Sequence, residues 1–244
     1  MSSDITFETP SGSGGYFQHR RISPDFYHDF FLPGYLRGNL PQDPANRILD
    51  LGCGFGQIMS ALAKSGYQQV EGVDIDEEAL AFCRAQGLKV AKINDIIEYA
   101  TSFTQGKYDF IIMSHVLEHI DKNSIVPTLL AIRQNLLADH GQMLIMVPNA
   151  QSHTGCYWAF EDFTHTTLFT AGSLYYVLKA AGFQTITFLD PYCLEDLSPL
   201  KKLIKKLLLK IYMVKNNFWN RVTSSFFHKP SPQIFSFEIK VLAQ

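Results

Sequence analysis

Residues 47–56 read Arg47-Ile48-Leu49-Asp50-Leu51-Gly52-Cys53-Gly54-Phe55-Gly56, and the rest of the chain is arranged around them. The apolar run at the start is typical of a buried parallel strand. Three glycines follow at alternate positions, and glycine can adopt a positive φ and lets a ligand lie against the backbone. Residues 57–64 then read as a helix. This order predicts backbone N–H groups and a helix N-terminus at the carboxyl edge of a sheet, where nucleotide-like ligands bind in open α/β folds.

The spacing of the glycines narrows the class of ligand. Gln57 stands where the dinucleotide fingerprint has its third glycine, and no Gly-Lys-Ser/Thr sequence follows that would make a phosphate loop. Asp50 ends the strand just before the glycines, where a carboxylate would repel a pyrophosphate and attract a cationic ligand. These features disfavour a nicotinamide oxidoreductase.

The segment from Asp50 to Gly56 resembles motif I of the class I S-adenosylmethionine (SAM)-dependent methyltransferases. SAM carries an ammonium, a sulfonium and no phosphate, which suits Asp50. The resemblance covers roughly residues 45–190 with the last strand added, and it implies a methyltransferase with SAM as its cofactor. The residues expected to bind the cofactor are Asp50, Gly52, Gly54, Gly56, Asp74, Ile75, Asp95, Ile96 and Ser114.

Two further acidic residues support this expectation. Asp74 ends a predicted second strand over residues 69–75, where a carboxylate can accept hydrogen bonds from two ribose hydroxyls. Turns also select Asp, so the position alone is weak support. The resemblance implies that Asp95 accepts from the adenine amino group and that Ile96 supplies a backbone N–H.

Predicted strands and helices alternate along the chain. After the first two, strands are predicted at 88–93, 108–114, 142–147, 185–189 and 234–242, with helices that include 124–138 and 170–181. The alternation predicts an α/β fold with a doubly wound parallel sheet. The resemblance implies a Rossmann-like, mostly parallel, seven-stranded sheet with a terminal antiparallel strand.

The predicted organisation has two parts. Residues 1–44 form an N-terminal mobile segment and a cap helix, and residues 45–244 form the SAM-binding methyltransferase domain. Two insertions interrupt this domain, an acceptor-site insertion at 149–170 and a basic amphipathic insertion at 198–230.

The sequence His115-x-x-Glu118-His119 matches the H-x-x-E-H pattern of the inverted zinc peptidases. Zinc needs both histidines on one helical face and a third ligand. However, His115 directly follows a predicted strand, so the first turn that contains it need not be helical. The peptidase interpretation also does not explain the glycine turn at residues 52–56. We therefore predict no metal site. Two other interpretations stay open for this segment. His119 could be a partly buried histidine in the first turn of a helix. Alternatively, the resemblance implies that the segment lines the space between the cofactor and the methyl acceptor.

The acceptor-site insertion is rich in side chains that can do chemistry. Methyl transfer to a hydroxyl benefits from a general base, and histidine suits neutral pH. The predicted catalytic residues are His165, His119 and Asp162, with His165 favoured as the base and Asp162 orienting it. The run Asp162-Phe163-Thr164-His165 resembles an Asp-x-Thr-His signature of methyltransferases in polysaccharide and lipopolysaccharide biosynthesis. A loop histidine that caps the next helix is the alternative interpretation.

Three more residues of this insertion are predicted to bind the substrate: His153, Tyr157 and Trp158. The two aromatic rings could form an apolar face for a sugar ring. They could equally be core residues that close the site.

Residues 200–215 form a basic amphipathic segment, with lysines on one face and leucines and isoleucines on the other. This pattern predicts contact with an anionic membrane surface. The alternative is a helix packed on its own domain with solvated lysines.

Charge and cysteine usage bound the location and the partners. Eight of the 21 basic residues and none of the 23 acidic ones lie between Leu200 and Lys229, which leaves an acidic body that is not typical of a nucleic-acid binder. Four scattered cysteines and the lack of a signal-peptide pattern predict a cytoplasmic protein, peripheral at the inner membrane face if the basic segment binds there.

The leading hypothesis is a SAM-dependent O-methyltransferase acting on a sugar or glycan in cell-surface polysaccharide biosynthesis. The alternative acceptor is a small phenol or quinone, as in the ubiquinone-pathway enzymes. A non-catalytic alternative is a SAM-binding, membrane-associated scaffold protein. The acceptor, the methylated position and the oligomeric state stay open.

Overall fold

The computed structural model describes residues 30–226 and 232–244, and for residues 155, 156 and 159 it describes the backbone alone. Most of the predicted N-terminal segment, including the first part of its cap helix, lies outside the described residues. Between 30 and 44 the structure has one helical turn, α1 (Gly34–Arg37).

The described residues form one sheet of seven strands. The strands are β1 (Arg47–Leu51), β2 (Gln69–Asp74), β3 (Lys89–Lys92), β4 (Tyr108–Ser114), β5 (Leu137–Pro148), β6 (Ile186–Leu189) and β7 (Glu238–Ala243). Their order is β3-β2-β1-β4-β5-β7-β6. Strands β1 to β5 run parallel, and β7 pairs antiparallel with both β5 and β6. The predicted Rossmann-like, doubly wound α/β fold with a terminal antiparallel strand is therefore confirmed.

Helices connect the strands and cover both faces of the sheet. They are α2 (Gln57–Lys64), α3 (Glu77–Ala85), α4 (Ile96–Ser102), α5 (Ile125–Ala131), α6 (Gly155–Glu161), α7 (Ala171–Ala180) and α8 (Pro199–Val222). A 3-10 turn, Leu117–His119, follows β4, and a π-helical turn, Ile132–Leu136, extends α5.

The strand sequences divide the core between the two faces of the sheet. Successive side chains of a strand point to opposite faces, so Ile111 and Met113 of β4 join one apolar cluster with α5 and α7. Phe110 and Ile112 join a second cluster with α1 and α2. All four side chains are fully buried, and each contributes roughly 1.5–3 kcal/mol through its burial. Burial on both faces explains why the strands read as continuous apolar runs.

The strand order places the site. The chain leaves β1 on one side towards β2 and β3, and it returns to β4 on the other side of β1. Ligands of open α/β sheets bind at such a switch point, beyond the carboxyl ends of the strands. The segments after β1, β2, β3 and β4 meet at this edge.

Several predicted boundaries differ from the structure. The strand predicted at 142–147 begins at Leu137, and the strand predicted at 234–242 begins only at Glu238. The helix predicted to reach residue 138 ends with the π-helical turn, because Leu137 already pairs with Tyr108 as the first residue of β5. The acceptor-site insertion, for which no helix is predicted, contains the helix α6.

The basic segment forms one long helix, α8, of 24 residues. No residue of α8 is buried, and apolar side chains such as Leu203 and Leu207 are 67% and 59% exposed. Lys205 donates to the backbone carbonyl of Cys193, and the Tyr212 ring contacts the rings of His153 and Phe235. The last residues of the predicted basic insertion lie outside the described residues.

Candidate functional site

The turn after β1 is built from three glycines in the left-handed region. Gly52, Gly54 and Gly56 have φ values of 83°, 50° and 73°. A Cβ atom at Gly52 would overlap Cγ2 of Val116, and one at Gly56 would overlap the Leu88 side chain. The turn therefore needs glycine both for its backbone conformation and for space.

Asp50 lies beneath this turn with a carboxylate that is 1% exposed. Its Oδ1 atom has no hydrogen-bond partner among the described residues. Burial, and then the negative charge of Asp74, raise the pKa of Asp50 to about 7. A buried carboxylate without a partner is costly, and a nearby cation would relieve this cost.

Asp74 connects the end of β2 to the glycine turn. Its Oδ2 accepts from the Gly54 N–H at 2.8 Å, and its Oδ1 accepts from the Asp76 N–H at 2.9 Å. A carboxylate has about four lone-pair sites, so both oxygens can also accept from a ligand. The next residue, Ile75, is 67% exposed and offers an apolar surface at the same edge.

The other residues predicted to bind the cofactor follow β3 and β4. Asp95 is the N-cap of α4, because its side chain accepts from the Glu98 N–H at 2.9 Å, and Ile96 is the first residue of that helix. Ser114 is the half-buried last residue of β4. All nine predicted residues thus lie at the carboxyl edge of four neighbouring strands.

A cluster of three titratable side chains lies after β4 at the same edge: Glu118, His119 and His165. The ring centroids of the two histidines are 4.7 Å apart. Oε1 of Glu118 lies 3.9 Å from Nε2 of His165. Backbone hydrogen bonds from Thr166 and Thr167 to the Glu118 carbonyl hold the loop of His165 against the 3-10 turn. Sequence reasoning singled out both histidines, and the structure brings them together with Glu118.

The surroundings of the two histidines define which ring nitrogen carries a proton. His165 Nδ1 lies 2.7 Å from the Trp158 carbonyl, which can only accept, so Nδ1 donates and the lone pair of the neutral ring is on Nε2. Thr164 Oγ1 donates to Asp162 at 2.6 Å and therefore accepts from Nδ1 of His119 at 2.8 Å. Burial lowers the pKa of His119, which favours its neutral form.

Asp162, predicted to orient His165, is itself buried. Its Oδ2 lies 3.7 Å from Nε2 of His165, on the side opposite the ring nitrogen that Trp158 holds. The orientation of the His165 ring is thus set by the Trp158 carbonyl, and Asp162 adds negative charge near its lone pair.

His115 has different surroundings from the other two histidines. Its Nδ1 lies 3.3 Å from Glu118 and its Nε2 lies 3.2 Å from Glu238. Burial alone would lower the pKa of His115, but the two carboxylates outweigh it and raise the pKa to about 10. Both ring nitrogens of His115 thus face carboxylates, whereas the peptidase pattern would need His115 to face the same ion as His119.

Glu238 and Lys240 of β7 are site neighbours that sequence reasoning missed. Glu238 contacts His115 and also Lys240, whose Nζ lies 3.2 Å away, and both side chains are nearly fully buried. Charged residues inside an otherwise apolar strand were the available signal. The sequence predicts that β7 is a terminal antiparallel strand, but it does not show which side chains Glu238 and Lys240 contact.

The predicted substrate-binding residues lie around α6. His153 is exposed, and its ring centroid is 6.3 Å from that of Tyr212. Tyr157, 52% exposed, packs edge-on against Trp158 with ring centroids 5.0 Å apart. The backbone carbonyl of Trp158 contacts the ring of His165, so Trp158 lies beside the histidine cluster. His153 instead contacts Tyr212 of the long helix α8.

One open surface cleft of about 720 Å³ lies elsewhere, at the amino edge of the sheet. Its lining includes Asn46, Asp109, Asp139 and His140. It shares no residue with the glycine turn or the histidine cluster.

Comparisons with known proteins place these features in a family. The methyltransferase domain family matches residues 18–187. A ubiquinone biosynthesis O-methyltransferase of Bordetella avium is 35% identical over 100 residues, which cover 39% of this chain and 38% of that protein. The chain thus spans well under half the length of this curated relative.

Two solved structures resemble the whole fold. A SAM-dependent methyltransferase from Archaeoglobus fulgidus has a TM-score of 0.64 at 22% identity and covers 93% of this chain and 97% of its own. Phosphoethanolamine N-methyltransferase 2 of Haemonchus contortus, in complex with SAM, has a TM-score of 0.59 at 17% identity, over 96% of this chain and 61% of its own. Within residues 30–226 and 232–244, each helix is either too short or too polar to span a lipid bilayer.

Proposed function

Because the chain belongs to the methyltransferase domain family, we propose that it transfers a methyl group from SAM to an oxygen atom of a small-molecule acceptor. The observation that carries this proposal is the buried Asp50 carboxylate, which has an oxygen without a partner beneath three left-handed glycines. Such a site attracts a cationic ligand that lies against the backbone.

The family match establishes the general class of protein to which the chain belongs. The resemblance to class I methyltransferases, the enzyme class and SAM as the methyl donor are confirmed. The acceptor and the residues that bind or react are the proposal.

The residues at the carboxyl edge fit SAM. The cofactor's positive charges suit the electrostatics of Asp50 and Asp74, which both carry buried carboxylates. Asp74 would take the ribose hydroxyls while it keeps its two backbone hydrogen bonds, and Ile75 would cover the adenine. Asp95 and Ile96 would bind the adenine edge, and the glycine turn leaves room for the cofactor to approach the backbone. Ser114 ends β4 beside this cradle.

When bound, SAM supplies an electrophilic methyl group, and an oxygen acceptor must lose one proton in the overall reaction. The protein's contribution is to align the acceptor and to lower the cost of this proton loss. The cluster of Glu118, His119 and His165, with Asp162 beside it, is the proposed place. The Nε2 lone pairs of the two histidines can accept a proton from a neighbouring hydroxyl. The carboxylates of Glu118 and Asp162 would stabilise the positive charge that results.

A phenol or quinol is the proposed acceptor. It rests on the likeness to a ubiquinone biosynthesis O-methyltransferase and on the exposed apolar residues of α8, which suit a lipid-soluble substrate. A sugar or glycan is the second candidate, favoured by the Asp162-Phe163-Thr164-His165 run and by the exposed ring of Tyr157 beside Trp158. Both acceptors present a hydroxyl to the same cluster.

Attachment to an anionic membrane surface through residues 200–215 is part of the proposal. The exposed leucines of α8 and the lysines beside them provide the apolar and the cationic contacts that such a surface binds. The protein would then work as a peripheral protein on the cytoplasmic face of the membrane.

The test combines cofactor binding with turnover. Purified protein is titrated with SAM by calorimetry and then assayed for S-adenosylhomocysteine with a catechol that carries an apolar tail and, separately, with a sugar acceptor. We expect Asp74→Ala to weaken SAM binding at least tenfold, because hydrogen bonds to charged groups contribute about 1.5–3 kcal/mol.

The matched control is Asp139→Ala, which removes an exposed carboxylate from the opposite edge of the sheet. Equal losses in both variants, or no SAM binding by the unmodified chain, would refute the assignment of the cradle. Binding without turnover on either acceptor would favour the scaffold alternative.

A further inference from the structure

A thiol and an amine face each other where β7 meets the loop between β6 and α8. Nζ of Lys240 donates to Sγ of Cys193 at 3.2 Å, although the two residues are 47 positions apart in the chain. We propose that this pair is an oxidant-sensitive modification site, in which hydrogen peroxide joins Cys193 to Lys240 through a sulfur–nitrogen bond. The inference goes beyond the proposed function and does not depend on it.

Cys193 is accessible to a small oxidant. Of the three cysteines whose side chains the structure describes, Cys53 and Cys83 are buried, whereas Cys193 is partly exposed. Hydrogen peroxide is small and uncharged, so it can reach a partly exposed sulfur. A neighbouring cation favours the thiolate, which is the form of cysteine that reacts with peroxide.

Lys240 has little freedom to turn away from this sulfur. Its side chain is 2% exposed, and Nζ lies 3.2 Å from Glu238 and over the rings of Tyr35 and Phe237. Burial alone would lower the pKa of Lys240, but Glu238 and then Cys193 outweigh burial and raise it. Before oxidation the side chain is therefore a fixed ammonium in contact with the thiol.

The backbone of the loop at residues 190–198 holds the sulfur in its position. Cys193 has a φ of 49°, which is unusual for a residue other than glycine and persists only where the surroundings impose it. The Asp190 side chain accepts from the Leu194 N–H at 2.7 Å, and Lys205 donates to the Cys193 carbonyl at 2.8 Å. The loop thus presents the thiol to Lys240 before any oxidant arrives.

The proposed reaction has two steps. The Cys193 thiolate first attacks one oxygen of hydrogen peroxide, so that a sulfur–oxygen bond forms, the oxygen–oxygen bond breaks and hydroxide leaves; sulfur is oxidised and peroxide is reduced. Nitrogen can then condense with the resulting sulfenic acid. Nζ of Lys240 loses two protons, one to the departing hydroxyl as water and one to solvent, and bonds to sulfur as the sulfur–oxygen bond breaks.

The cross-link would fasten three elements to one another. The loop already contacts α8 through Lys205 and α1 through the ion pair of Arg37 with Asp196 at 2.6 Å. A bond from Cys193 to β7 makes these connections part of one covalently closed segment.

The cross-link would also change the charge beside the histidine cluster. A sulfenamide nitrogen carries no positive charge, so Glu238 would lose its contact with the ammonium of Lys240 and keep the contact with His115 at 3.2 Å.

The experiment maps the cross-link by mass spectrometry. The full chain is reduced, treated with hydrogen peroxide, blocked with iodoacetamide and digested with trypsin. We expect the peptide that contains Cys193 to be joined to the one that contains Lys240, with a combined mass lower by two hydrogen atoms. Trypsin should fail to cleave after Lys240, and dithiothreitol should restore both separate peptides.

Two substitutions distinguish the partner of the sulfur. Lys240→Arg keeps the positive charge but supplies a poor nucleophile, so oxidation should stop at the sulfenic acid, which dimedone traps, and the yield of cross-link should fall at least tenfold. Lys205→Arg is the matched control, because Lys205 contacts Cys193 through the backbone carbonyl alone. Its yield should equal that of the unmodified chain.

Thermal unfolding of each variant controls for a folding defect. If Lys240→Arg does not fold, Cys193→Ser replaces it, because the two side chains have similar size, and it should remove the cross-link. Oxidation of Cys193 to sulfenic or higher acids without a bond to Lys240 would overturn the proposal. So would a Cys193 that does not react with peroxide, or a cross-link that Lys205→Arg removes as fully as Lys240→Arg.

Discussion

At the scale of single residues, Gly52 carries the tightest constraint of the site. Its φ of 83° disfavours any side chain, and a Cβ atom would overlap Val116. We expect Gly52→Ala to destabilise the fold by about 2–4 kcal/mol, from backbone strain and overpacking together, and to abolish SAM binding. Urea denaturation and calorimetric titration measure the two effects.

Gly66 provides the matched control for this substitution. Its φ is 96°, but nothing lies within 4 Å of a Cβ built there. Gly66→Ala should cost only the backbone strain, about 1–2 kcal/mol, and should leave SAM binding intact. If the two variants lost stability equally, the overlap with Val116 would be irrelevant.

At the scale of elements, α8 is a helix of 24 residues that buries none of them. In water an amphipathic helix is stabilised chiefly by packing of its apolar face, and α8 leaves that face exposed. An anionic bilayer would cover the leucines and attract the lysines, and each lysine near the surface contributes about 1 kcal/mol.

We therefore expect the protein to sediment with vesicles that contain phosphatidylglycerol and not with pure phosphatidylcholine vesicles. Raising the salt concentration should weaken the interaction, because exposed charges are screened. Lys201→Glu combined with Lys206→Glu should reduce the bound fraction severalfold. The control pair Lys107→Glu with Lys122→Glu changes the same charge on exposed positions outside the helix. Equal reduction by both pairs would mean that the overall charge, rather than α8, governs binding.

At the scale of the whole molecule, His115 and Glu238 join parts of the chain that are 123 residues apart. The contacts with Glu118 and Glu238 raise the pKa of His115 to about 10, above its value of about 6.5 in an unfolded chain. A raised pKa contributes stability that is complete below the unfolded value and is lost as the pH rises through the folded value. Solvent reaches 43% of the ring and screens part of the effect.

The free energy of unfolding should therefore fall as the pH rises from about 6.5 to about 10. His115→Gln should remove most of this slope, and urea titrations across the range measure it. The carboxyl of Glu238 behaves in the opposite sense. Although burial alone would raise its pKa, the contacts with His115 and Lys240 lower it, so its contribution is lost only at acidic pH. A slope that is identical in the variant and the unmodified chain would show that His115 does not cause it.

Much of the cofactor edge followed from local sequence. The run Ile48-Leu49-Asp50-Leu51 predicts a strand by its apolar content, and the three glycines predict a turn that only glycine can make. The acids at the ends of β1 and β2 could be placed at the same edge, because parallel strands end on the same side of the sheet. Each of these features depends on residues close together in the chain, so the sequence by itself determined them.

Only the tertiary structure decided which distant side chains meet. The pattern from His115 to His119 is equally compatible with a zinc pair, a base or a buried histidine. The path of the chain after β4 instead places His119 beside His165 and turns His115 towards Glu238. Such contacts depend on the order of the strands and on the route of irregular loops. Neither leaves a periodic signal in the sequence, because no repeating backbone geometry connects the residues involved.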